Sequence, residues 1–243
     1  MLFYILFIVN TFYHMKFKDL NLLPSLLKAL DEKKYTEPTS IQEKAIPFVL
    51  SREDVLGSAQ TGTGKTAAFA LPIIQHLENE QQSYSGRRRI RALVVTPTRE
   101  LAIQIGENFV AYSKYNNVRT TVIYGGVKQG SQTQALNRGV DVLIATPGRM
   151  YDMIAQGHLQ LSRVQTLILD EADQMLALGF YKDIQGIQGR LPKNRQTLFF
   201  SATINNEIKK LAYTLVKNAI RIQISPKDPV SKNVTHFVAP IEM

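Results

Sequence analysis

The feature that most constrains this chain is a series of short apolar, largely β-branched runs that do not alternate with polar residues. They fall at 54–57, 92–95, 120–123, 142–144, 166–169 and 197–200, with a weaker one at 220–222. A strand with one face in water alternates apolar and polar side chains. A run that is apolar throughout is expected of a strand buried on both faces.

Between these runs the apolar spacing changes to the helical one, at 66–77, 98–113 and 205–216. Two more helical stretches, 22–30 and 41–50, precede the first run; Pro38-Thr39 separates them, and Thr39 or Ser40 is a candidate cap for the second. Strand then helix, repeated, predicts an α/β fold: a mostly parallel sheet with helices on both faces. The 243 residues accommodate one large domain of this kind, placed here at 15–224. The apolar opening, 1–14, reads as an extension, and Met15 is the expected natural start. That opening is shorter than the ~20 residues of a membrane span and lacks the basic flank and cleavage site of a secretory signal. From Ser225 the pattern thins into Ser-Pro-Lys-Asp-Pro, so 225–243 reads as a linker.

Composition narrows the function classes. The chain has no cysteine, which excludes disulfides and thiolate metal centres and fits a reducing compartment. Its four histidines (His14, His76, His158, His236) have no metal-ligand spacing. A net charge of +9 favours polyanionic partners. The densest basic run, Arg87-Arg88-Arg89 with Arg91, follows a polar stretch and is read as a solvated loop.

The strongest chemical signal is Ala59-Gln60-Thr61-Gly62-Thr63-Gly64-Lys65-Thr66. It lies between a buried strand and a helix, the context a phosphate-binding loop requires. Gly62 and Gly64 let the backbone curl around Thr63 so that its N–H groups point inward, and the helix N-terminus adds a favourable dipole. Lys65 is the expected β/γ-phosphate ligand and Thr66 the expected Mg²⁺ ligand. A second signal, Asp170-Glu171-Ala172-Asp173, ends the run at 166–169. Acids at the carboxyl end of a parallel strand face the crevice where such sheets bind ligands. Asp170 is assigned to Mg²⁺, and Glu171 to orienting and deprotonating the attacking water.

Together with these, Pro38-Thr39-Ser40-Ile41-Gln42, Pro97-Thr98-Arg99-Glu100-Leu101, Gly125-Gly126, Thr146-Pro147-Gly148-Arg149 and Ser201-Ala202-Thr203 occur in one order along the chain. In this the sequence resembles the DEAD-box ATP-dependent RNA helicases, specifically their N-terminal, RecA-like lobe, from Phe17 to about Ile222. The family commonly has alanine at the position of Ala59. Lys34, where the family often has glycine, and Ser40, where it often has proline, depart from its pattern.

The resemblance implies further roles. Gln42 is similar to the glutamine that reads the adenine edge, with Phe17, Tyr35 and Glu37 around the adenine. Arg99, Gly126, Thr146 and Arg149 match positions that hold the RNA sugar–phosphate backbone, and such contacts are sequence-independent. Ser201 and Thr203 match the motif that couples hydrolysis to strand separation, with hydrogen bonds to Asp173 expected. The implied cofactors are ATP and Mg²⁺. The implied partners are RNA and a second RecA-like lobe that carries an arginine finger, in a cytoplasmic monomer without membrane contact. With that lobe missing, these residues alone are expected to be nearly inactive. Two rivals are a DNA-acting member of the wider superfamily, which Gln42 and the intact Asp-Glu-Ala-Asp disfavour, and an ATP-gated, non-catalytic RNA clamp or assembly module.

Overall fold

A computed structural model describes residues 15–80 and 88–224. The expectations for the 1–14 extension, for Arg87 and for the 225–243 linker lie outside the described residues. A short 3₁₀ turn, Phe17–Leu20, leads into α1 (Pro24–Glu32) and α2 (Ser40–Leu50). Then follow β1 (Val55–Ser58), α3 (Lys65–Asn79), β2 (Ala92–Val95), α4 (Arg99–Tyr112), β3 (Thr120–Ile123), α5 (Gly130–Asn137) and β4 (Val142–Ala145). The remainder is α6 (Pro147–Ala155), β5 (Thr166–Leu169), α7 (Ala172–Ala177), α8 (Tyr181–Gln188), β6 (Gln196–Ser201), α9 (Asn206–Leu215) and β7 (Ile220–Gln223).

The strands form one seven-stranded sheet in the order β3-β4-β2-β5-β6-β1-β7, and every pairing is parallel. Successive side chains of a strand point to opposite faces, and the core divides accordingly. Val94, Ile144, Ile168 and Leu198 face α1 to α4, whereas Leu93, Leu143, Leu167 and Phe199 face α5 to α9. Both faces are therefore dry in the central strands, which is why their sequences are apolar throughout. On the first face Phe69 of α3 packs against Phe200 and Phe109, with ring centroids 5.7 Å and 6.2 Å apart. All three rings are fully buried, each side chain contributing about 1.5–3 kcal/mol. The edge strands β3 and β7 are only partly covered. No helix among the described residues is long and apolar enough to cross a membrane.

Polar anchors hold α2 against the sheet. Gln196 of β6 donates to the carbonyl oxygens of Val49 (3.1 Å) and Glu53 (2.8 Å). Asp54 accepts from the amides of Thr197 and Lys217, both at 2.7 Å. At the amino ends of the strands, Arg91 is buried and its guanidinium meets Asp141 at 3.3 Å and Glu80 at 3.4 Å. Arg88 pairs with the same Asp141 and also binds the carbonyl and side-chain oxygens of Asn117. The basic run is thus not a solvated loop at these two positions. Asp141 is only 2% exposed, and a buried carboxylate requires partners that local sequence does not announce.

Candidate nucleotide-binding site

The carboxyl ends of β1 and β5 flank that of β6, and the loops leaving them meet α2 in a cleft of about 520 Å³. The loop after β1 turns through Gly62 (φ +82°) and Gly64 (φ +92°), left-handed conformations that glycine adopts without steric cost. Gly64 must also be small: a Cβ there would lie 2.4 Å from Nε2 of Gln42. The loop then enters α3, an alanine-rich helix whose apolar residues bury it against the sheet.

Several polar groups of the cleft are engaged internally. Lys65, 5% exposed, donates from Nζ to the Ala59 carbonyl oxygen at 3.1 Å and lies 3.8 Å from Asp170 Oδ1. Asp170 is equally buried, and burial pushes its carboxyl up to about 6 despite Lys65, with the neighbouring Glu171 charge adding to the rise. Glu171 adopts a left-handed conformation (φ +56°) at the start of α7, and its Oε1 accepts from the Thr61 hydroxyl at 2.8 Å. Gln42 ties α2 to the loop: Oε1 accepts from the Thr39 amide at 2.9 Å and Nε2 donates to the Gly64 carbonyl oxygen at 3.0 Å. Thr66, in the first turn of α3, lines the same cleft.

Phe17, Tyr35 and Glu37 line the opposite wall. Phe17 is buried and also belongs to the core, whereas Tyr35 is 40% exposed. Lys34 has φ +59°, which explains why glycine suits that position. Thr63 turns away, its hydroxyl donating to the Gln60 carbonyl oxygen at 2.7 Å, and it does not line the cleft. Sequence reasoning missed the wall supplied by α4, where Leu101, Gln104, Asn108 and Tyr112 face the cleft. The signal was present: these positions recur every three or four residues, hence on one face of a helix. Thr61 was also missed; a hydroxyl inside a glycine-rich loop carries no mark of its partner across the cleft.

Arg99, Gly126, Thr146 and Arg149 lie elsewhere, beyond the carboxyl ends of β2, β3 and β4: Arg99 opens α4, Gly126 is in the loop after β3, Thr146 precedes α6 and Arg149 is in its first turn. The Arg99 guanidinium sits 5.0 Å from the centre of the Tyr124 ring. Arg149 donates from Nη2 to the Val127 carbonyl oxygen at 3.1 Å, while its Nε and Nη1 are buried without a partner. Gly126 takes φ +79°, with open space where a side chain would stand. Thr146 stands in extended conformation at the N-cap position of α6, without a side-chain capping bond. Between the two regions, Asp173 accepts from the Thr203 amide (2.9 Å) and hydroxyl (3.0 Å). The Ser201 hydroxyl instead donates to the Thr203 carbonyl oxygen at 2.6 Å, bracing the turn that presents Thr203.

No group of three or more His, Cys, Asp or Glu side chains among the described residues is arranged to hold a metal ion. One buried carboxylate and a threonine suit Mg²⁺ only if phosphate oxygens and water complete its shell, which is the ordinary way Mg²⁺ is bound. The chemistry of the donor set therefore fits a cation that arrives with a nucleotide.

A parallel sheet covered on both faces, with a glycine-turned loop, a lysine and an acid at its carboxyl edge, defines a P-loop nucleotide-binding domain. Residues 39–211 match the DEAD/DEAH box helicase family model, and the chain belongs to that family. It is 41% identical over 223 residues to the DEAD-box ATP-dependent RNA helicase CshA of Streptococcus pneumoniae, covering 92% of this chain and 41% of the relative. It is 44% identical over 223 residues to the ATP-dependent RNA helicase CshA of Limosilactobacillus reuteri, covering 92% of this chain and 44% of that protein. To the DEAD-box ATP-dependent RNA helicase RhpA of Helicobacter pylori it is 42% identical over 226 residues, 93% of this chain and 44% of the relative. The chain thus spans less than half the length of these curated relatives.

Proposed function

We propose that residues 15–224 are the ATP-binding lobe of an ATP-dependent RNA helicase, which hydrolyses ATP to remodel or locally unwind RNA. The observation that carries this reading is the convergence of Gln42, Lys65, Thr66, Asp170 and Glu171 on one cleft. Lys65 exchanges its internal contacts for phosphate oxygens, and the amides of the loop and of the α3 N-terminus cradle them. Asp170 and Thr66 would hold Mg²⁺, whose bound charge neutralises the phosphates. Glu171, released from Thr61, orients the attacking water and accepts its proton. Gln42 keeps one N–H and one oxygen lone pair beyond those used for Gly64 and Thr39, a donor and acceptor pair suited to an adenine edge. Tyr35, Glu37 and Phe17 enclose the base. Arg99, Gly126, Thr146 and Arg149 hold the RNA backbone, and Asp173, Thr203 and Ser201 link the two regions.

Among the described residues that line the cleft, none is an arginine. A guanidinium brought from another surface adds about 10³–10⁵ in rate to reactions of this type, so slow hydrolysis and no unwinding are expected of this chain alone. The test is a fluorescent-nucleotide titration with single-turnover hydrolysis, using the 243-residue chain and its Lys65→Ala and Glu171→Gln variants. Lys65→Ala should abolish detectable binding, and Glu171→Gln should bind without hydrolysing. Equal affinity of parent and Lys65→Ala would sink the reading of the cleft. Fast RNA-stimulated turnover by the parent would overturn the expectation of slow hydrolysis.

A further inference from the structure

The opposite pole of the sheet carries a second polar cleft, of about 410 Å³, at the amino ends of β2, β4 and β5. Arg88, Arg89, His158, Gln160, Ser162 and Arg163 face it, and no carboxylate is among the described residues that line it. The acid nearest in the chain to these elements, Asp141, is buried and engaged by Arg88, by Arg91 and by the Arg119 amide. It holds Arg88 in place. Arg89 and Arg163 are exposed, and neither is in an ion pair with another described residue.

Several features separate this cleft from an ordinary charged surface. It is concave, its positive charge comes from two separate loops, and one of its guanidinium groups is fixed by three contacts, to Asp141 and to two oxygens of Asn117. The neutral groups beside the cations, the Ser162 hydroxyl and the Gln160 amide, include donors suited to anionic oxygen. A four-residue strand is about 13 Å long, so a ligand here cannot share the nucleotide cleft. It does sit on the strands whose carboxyl ends carry Arg99, Thr146 and Arg149.

We propose that this cleft is a phosphate-backbone site for RNA, engaging a segment that flanks the one held at the carboxyl ends of β2, β3 and β4. The proposal rests on the reading of the chain as part of an RNA helicase. Cations without acids, in a polar cleft on a chain of net charge +9, match a polyanion and give no means of reading bases. Arg89 and Arg163 supply the free charge; Arg88 supplies a fixed donor edge.

The experiment compares the parent chain with an Arg89→Gln/Arg163→Gln double variant in fluorescence-anisotropy titrations against a 6-nucleotide and a 30-nucleotide single-stranded RNA, over a series of salt concentrations. Both substitutions are at exposed positions, and unchanged nucleotide binding and Tm verify the fold. The double variant should bind the long RNA roughly tenfold more weakly, with a salt slope lower by about 1.4, the value for two phosphate contacts on a single strand. The short RNA should bind as it does to the parent. Equal losses for both lengths, or no loss for either, overturn the proposal. So does a long-RNA affinity that is unchanged while inorganic tripolyphosphate binds the parent and not the variant, because the cleft is then a small-anion site. An Arg99→Gln control separates this from the underlying reading: loss of short-RNA binding there supports the carboxyl-end site whatever the double variant does.

Discussion

Two buried aspartates stand at opposite ends of the same sheet and are treated in opposite ways. Asp141, at the amino end of β4, accepts from Arg91, Arg88 and the Arg119 amide, so its charge is fully partnered. Asp170, at the carboxyl end of β5, has one lysine at 3.8 Å and the amide of its own neighbour at 3.1 Å. The first arrangement is a permanent brace. The second leaves a carboxylate dry and under-coordinated, with its carboxyl pushed up to about 6 by burial, a state that a bound cation would relieve. Sequence type does not distinguish the two, since each is an acid near a base; the number of partners does.

The sharpest way to break this comparison is to neutralise each acid in turn. Asp141→Asn should destabilise the fold by about 3–5 kcal/mol, because it removes the buried carboxylate that Arg91 and Arg88 share. Asp170→Asn should change stability by less than about 1 kcal/mol while removing the Mg²⁺ dependence of nucleotide binding, since it takes away a charge whose burial already costs free energy. Urea unfolding of both variants measures the contrast, and equal losses would show that Asp170 is a brace as well.

Next in size is Gly64→Ala. It places a side chain at φ +92° and against the Gln42 amide, so a loss of about 1–3 kcal/mol is expected, with weaker nucleotide binding. Chemical denaturation and nucleotide titration on one sample check it. Gln42→Glu should follow at about 1–2 kcal/mol. The acceptor to the Thr39 amide survives while the donor to Gly64 is lost, and preference for ATP over GTP should fall in competition titrations.

The smallest effect concerns Asp173. Burial opposes its ionisation, yet the hydrogen bonds from Thr203 hold its carboxyl below the usual value. A depressed folded value contributes stability that is present above the unfolded value and lost as pH falls through the folded one. Thr203→Val should therefore raise the Asp173 titration midpoint and weaken the acid limb of the stability curve; carboxyl-detected NMR titration follows it directly. An unmoved midpoint would remove Thr203 as the cause.

The legible parts of the molecule were those where one residue's requirement is local. The buried runs appeared as strands within a residue or two, because a dry strand has to be apolar on both faces. The helices at 98–113 and 205–216 were legible because their apolar residues recur at helical spacing; the structure adds their caps, Thr98 and Asn205, which accept from amides three residues on. The helices α5 and α8 were not, since sequences such as Gly-Ser-Gln-Thr-Gln-Ala-Leu-Asn carry few apolar positions and are held by tertiary packing. Arg88 and Arg91 looked like solvated charges because their partner Asp141 lies some fifty residues away in sequence.

By itself, then, the sequence determined the strand–helix alternation, the glycine turn before Lys65 and the presence of an acid pair after β5, each a matter of neighbouring residues. Only the tertiary structure decided which groups meet: Glu171 with Thr61, Gln42 with Gly64, Asp173 with Thr203 and Arg91 with Asp141. The physical reason is that a parallel sheet joins strands far apart in the chain. Its crossovers bring loops to a common edge in an order fixed by packing, which no local pattern records.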